Sequence, residues 1–262
     1  MQSLLAIEWM KLKRYRTFWI LIGFFTVLLA FWNYGISGGF LKIGAGDINI
    51  LNQAYTFSYV WQNMGFWAGV FVAFLAVLVV IVTTNEYQFR TNRQNVIDGW
   101  SRMQFYHAKW LVVLSLALLT TFYVFILGVS FGASYGSMDY FPGKISKLFY
   151  VFIIALNYYG FALLLSLFFK RSGITIGLFF LYSMILESLL KGLINWKIKH
   201  SIGNFLPLQS SDELLPFPLM DMMKTMANMP QNLPDWYYVL ASGCWITLYY
   251  FIGRQKLVRS DW

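Results

Sequence analysis

The chain has 262 residues, of which 58% are hydrophobic and only 12% charged, against roughly 25% charged in an average soluble domain; this excludes the ordinary soluble class. A formal net charge of +9 would suit nucleic acid, but the cations are spread over segments that separate apolar runs, as topology signals are in a membrane protein. The single cysteine, Cys244, lies in an apolar run, which excludes a disulfide framework and a cysteine-based metal motif.

Residues 1–16 read as an amphipathic helix, with Leu5, Trp9 and Leu12 at i, i+4 and i+7 and Lys11, Lys13, Arg14 and Arg16 gathered toward its end. Such a helix lies on an anionic membrane surface, as an elbow framing a bundle or as a plain topology anchor. No small-residue cleavage site follows, so the first apolar run is expected to stay in the mature protein. That run, 17–34, is the first span, with Trp19 and Trp32 placed like two aromatic belts. The glycines of the segment after it, GISGGFLKIGAG, lack the G-x-x-x-x-G-K-[ST] pattern and read as a turn-rich outer loop.

The second span, 65–84, contains no ionisable residue, and neither does the run after Lys109. Each is long enough to cross a bilayer, which takes about 20 residues. Between them, 85–109 is a charged island holding Glu86, Arg90, Arg93, Asp98, Arg102 and Lys109. Arg93, Val96 and Trp100 fall at i, i+3 and i+7, which predicts a short amphipathic helix at the membrane surface. A simple surface anchor would have the same spacing.

The third span is expected at 110–133 and the fourth at 148–169, after a short outer hairpin. A basic turn at Lys170 and Arg171 leads into the fifth, 174–190. Glu187 falls near its outer end, and Lys191, four residues on, can form an intramembrane ion pair with it; a carboxylate in a membrane is also a functional candidate. The next segment holds Pro207, Pro216, Pro218, Pro230 and Pro234. That spacing forbids a spanning helix and suits short non-spanning helices on the outer side, covered by protein. The sixth span is 236–252, followed by Arg254, Lys256 and Arg259. Most of the 20 Lys and Arg then fall on the side of the N-terminus, which places both ends in the cytoplasm. The expected fold class is all-α: a single polytopic domain over 1–262 with six transmembrane helices.

This layout resembles the permease subunit of the type-2 ABC exporter family over nearly the whole chain, and the lantibiotic-immunity and sodium-efflux permeases within it. The shared features are an E-x-x-K elbow, here Glu8 to Lys11; six spans; a long inner loop after the second; and hydrophobic non-spanning helices between the fifth and sixth. The loop carries Glu86-Tyr87, Thr91, Arg93, Gly99 and Ser101-Arg102 in the family's order, with Arg90 where many members have Gly before the Thr.

The resemblance implies transport at the inner, cytoplasmic membrane, driven by a separate ABC ATP-binding subunit. This chain has no Walker lysine motif, so no cofactor is expected in it, and ATP and Mg belong to the partner. A second copy or a related permease would complete the pathway. The island would act as a coupling helix, with Glu86, Arg93 and Arg102 in polar contact with the ATPase, Thr91 and Gly99 completing its motif, and Trp100 as apolar anchor.

A secondary transporter would need more buried charge than the one carboxylate in the spans. A membrane scaffold without an ATPase partner stays open. An intramembrane protease would need clustered ligands or a Ser and His meeting in the bilayer, whereas His107 and His200 fall in loops assigned to opposite sides. Met220, Met222, Met223, Met226 and Met229 could bind Cu(I) as soft thioethers or pack as the apolar stripe of a short helix. Substrate and direction of transport are not legible.

Overall fold

The structure is a computed structural model that describes residues 2–39, 54–97, 99–135, 141–198, 201–218 and 233–259. The elements are an elbow helix α1 (Gln2–Lys13), α2 (Arg16–Ser37), α3 (Val60–Gln88), a short α4 (Thr91–Ile97), α5 (Arg102–Tyr135) and α6 (Lys147–Phe169). There follow α7 (Ser172–Ile198), a 3₁₀ turn Ser201–Phe205, the one-turn α8 (Gln209–Asp212) and α9 (Asp235–Arg259). Among the described residues all regular structure is helical, as a lipid environment demands of segments that must satisfy their backbone internally.

Five helices, α2, α3, α5, α6 and α7, are long and apolar enough to cross a membrane. The expected sixth span, α9, is more polar, yet its contacts run the height of the bundle. Tyr238 stacks on Phe205 near one end, and the Val258 carbonyl accepts from Arg102 Nη1 at the other (2.9 Å). The spans overrun their expected bounds. The 34 residues of α5 measure about 51 Å against a hydrocarbon core of about 30 Å, so α3 and α5 carry their helices into the charged island. The island itself shrinks to residues 89–101, because Glu86 and Lys109 are satisfied while still helical.

Around α6, the most enclosed span, pack α3, α5 and α9. At the end away from the elbow, α3 and α5 approach so closely that a Cβ on Gly128 would lie 2.5 Å from the Trp61 ring. Small residues at such crossings let membrane helices touch. Trp61 is in turn stacked on Phe125 and donates its indole N–H to the Gly143 carbonyl (2.8 Å).

The segment 201–218 does not span. It tucks between α6, α7 and α9, and polar side chains of the spans meet its backbone: Asn157 Nδ2 donates to the Pro207 carbonyl (2.7 Å) and Trp245 Nε1 to the Phe205 carbonyl (2.9 Å). This is the protein cover that irregular backbone at membrane depth requires.

Candidate functional site

The island of the sequence becomes three pieces. Helix α3 ends at Gln88, and Arg90 takes the left-handed conformation (φ 55°) that opens the turn into α4. A glycine would enter that conformation freely; here an arginine makes the turn. Helix α4 stops at Ile97, and Gly99 (φ 96°) reverses the chain so that the Trp100 amide N–H reaches the Asn95 carbonyl (2.9 Å). Arg93, Val96 and Trp100 therefore do not share a helical face. Trp100 is half-buried and turns inward, with the Lys11 ammonium 5.5 Å from its ring centre, a cation–π arrangement.

What α4 shows outward is different. Ile97 is 83% exposed, Phe89 69% and Val96 39%, and the surrounding side chains of Arg90, Thr91, Arg93 and Arg102 are also exposed. The Thr91 hydroxyl lies 3.4 Å from the Glu86 carbonyl, so the motif threonine closes the turn before α4.

Beneath α4 lies a cluster of four charges from three helices. Lys109 Nζ donates to Glu8 Oε2 (2.7 Å) and Glu86 Oε1 (2.6 Å), and Lys11 Nζ lies 3.1 Å from one oxygen of each carboxylate. Glu8, Lys109 and Glu86 are 0%, 2% and 6% exposed. The second Glu86 oxygen accepts from Asn95 Nδ2 of α4 (3.3 Å). Elbow, α4 and the facing ends of α3 and α5 are thus joined through one buried ionic node. Burial alone would raise the Glu8 carboxyl, but Lys109 and then Lys11 outweigh it and hold its pKa below the ordinary value.

The structure therefore redistributes the sequence's candidates. Glu8 and Lys11 of the E-x-x-K elbow do face one another, but as half of the node. Glu86, expected to meet a partner, is occupied inside it, and so is unable to serve as an outward contact. Lys109, the hub, is not among the residues that the sequence motif singles out. Its signal was available: a lysine directly against an uncharged run must find carboxylates or leave the bilayer.

The expected Glu187–Lys191 pair also resolves otherwise. Glu187 is fully buried, and its Oε1 accepts the backbone N–H of Leu208 (2.6 Å) and Gln209 (3.2 Å), capping the entry to α8. Lys191 instead pairs with Glu213. Glu187 and Lys191 both lie in the regular α-helical stretch Glu187–Ile198, so their i, i+4 spacing holds; each side chain turns instead to the non-spanning segment, where backbone N–H groups and Glu213 meet it. Because Glu187 meets neutral donors, Glu187→Gln is expected to change stability by less than about 1 kcal/mol, whereas Glu187→Leu strands two N–H groups at about 1–3 kcal/mol. Thermal unfolding in detergent would separate these; a large loss in Glu187→Gln would restore the ion-pair reading. The methionine cluster at 220–229, Asp98 and His200 lie outside the described residues.

An apolar helical bundle with an elbow helix, a short loop helix seated on buried charge and a non-spanning segment packed among its spans defines a polytopic all-α membrane protein. The chain belongs to the ABC-2 transporter family: the family model described as ABC-2 family transporter protein matches residues 4–186, which include the elbow, α4 and the node. No curated protein matches the chain. It is a membrane permease component of an ABC transporter.

Proposed function

We propose that this permease works with a separate ATP-binding ABC subunit, which supplies the ATP and Mg chemistry, and that residues 89–102 form the coupling element on which that subunit acts to drive export. The carrying observation is α4 itself. With the turns on either side of it, it presents Phe89, Val96 and Ile97 uncovered, rimmed by Arg90, Arg93 and Arg102, above a node that joins α1, α3 and α5. Apolar anchors within a charged rim are what a protein partner recognises, and a rigid support lets closure of the partner move the spans as a body. Thr91 and Gly99 shape the element, Trp100 fastens it to the elbow, and Glu86 belongs to the support. This orientation puts the elbow, α4 and both chain ends in the cytoplasm of a cell bounded by this inner membrane. A second permease, identical or related, would cover the largely exposed apolar side of α7 and complete the pathway.

Tagged chain purified in mild detergent is expected to carry an ATP-binding subunit with it and to raise that subunit's ATP hydrolysis. Recovery of a correctly inserted permease that neither retains nor stimulates such a subunit would count against the coupling role.

A further inference from the structure

Beside the node, α1, α2 and α5 leave an apolar cleft of about 380 Å³, lined by Leu5, Trp9, Leu12, Phe18, Val112 and Leu119 among others. Its polar residues are spent elsewhere: Glu8 in the node, and the Ser115 hydroxyl on the Leu111 carbonyl (2.7 Å). The cleft therefore suits hydrocarbon rather than a polar ligand. A second cavity of about 190 Å³, between α2, α3 and α5, shares Leu116 and Leu119 with the first and continues to Ile126. From Val112 to Ile126 the helix rises about 21 Å, enough to follow a chain through one leaflet, whose hydrocarbon is about 15 Å deep.

Where α1 ends and α2 begins, next in sequence to the cleft residues Leu12 and Phe18, Lys13, Arg14 and Arg16 are all exposed and none is ion-paired with another described residue. Trp19 Nε1 donates to the Lys13 carbonyl (3.0 Å), and Trp9, Phe18 and Trp19 meet edge to face at the rim. Aromatic rings and cations in this order mark the level of lipid headgroups.

We propose that this cleft holds one acyl chain of an anionic phospholipid whose headgroup phosphate is met by Lys13, Arg14 and Arg16. The lipid would fill the space between elbow and spans without a polar contact to the node, wedging α1 against α5 beside Glu8.

The test is lipid retention by the full chain, loaded in nanodiscs with equal phosphatidylglycerol and phosphatidylcholine, transferred to mild detergent and measured by native mass spectrometry. The wild type is expected to keep about one phosphatidylglycerol with about tenfold preference, roughly 1.4 kcal/mol. Ser115→Trp, which fills the cleft, is expected to lose it. Lys13→Gln with Arg14→Gln leaves the apolar packing alone and is expected to bring the preference close to parity. Equal retention of both lipids by the wild type, an intact preference in the double variant, or wild-type retention in folded Ser115→Trp would overturn the proposal. If Ser115→Trp does not accumulate, the double variant decides alone.

Discussion

Replacing Lys109 by Met is expected to lower the stability of the chain by about 3–5 kcal/mol, the usual result of removing one partner from a buried ion network. At roughly 2–4 °C per kcal/mol for a chain of this size class, the thermal midpoint in detergent should fall by more than about 6 °C. The reason lies in what remains: Glu8 and Glu86, both buried, would face one another with only the half-exposed Lys11 between them. The pH dependence has a definite sign. In the wild type the Glu8 pKa is lowered in the folded chain, since its cations outweigh burial; its contribution is complete above the unfolded carboxylate value of about 4.3 and is lost as pH falls through the lowered folded value. In Lys109→Met, burial of Glu8 is no longer outweighed to the same degree, so protonation of Glu8 relieves the site. The gap between wild type and variant should therefore narrow as pH is reduced from 7 toward about 5. A gap that is small at pH 7, or that widens on acidification, would contradict the node.

Ile97→Asp is expected to leave the thermal midpoint nearly unchanged and to weaken association with the ATP-binding subunit by about 2 kcal/mol or more, roughly thirtyfold. Ile97 is 83% exposed, so its loss should appear chiefly in the partner interaction. Trp100→Ala should behave in the opposite way. Its ring packs inward under Lys11 and against the apolar core, so truncation should lower the midpoint first and affect assembly through the support of α4. The comparison separates an interface residue from a positioning one. Equal effects of the two variants on midpoint and on assembly would erase that division.

The differences between reading the chain and seeing it have physical causes. Apolar runs free of charge pointed to the five helices that are long and apolar enough to cross a membrane, because a bilayer imposes length and composition on whatever crosses it. Their ends were less legible: Glu86 and Lys109 look like loop residues until each is seen to neutralise the other, which lets α3 and α5 stay helical beyond the apolar run. The E-x-x-K spacing at Glu8 and Lys11 was readable as a local i, i+3 pair, but contacts between residues 8, 86 and 109 span most of the sequence that precedes α6 and have no periodic signature. Trp100 was misdirected by helical spacing because Gly99 breaks the helix before it. Glu187 differs for another reason: its partners, the amides of Leu208 and Gln209, belong to a non-spanning segment whose docking depth no local pattern encodes.

The most direct test of the central claim is the accessibility of a single cysteine on α4. In a Cys244→Ser background, which removes the chain's only other thiol, the Ile97→Cys chain should react with a membrane-impermeant maleimide only after the cytoplasmic face is opened. That reaction should then slow by about tenfold or more when the ATP-binding subunit is bound. Labelling of intact cells from outside, or a rate indifferent to the bound subunit, would contradict the account.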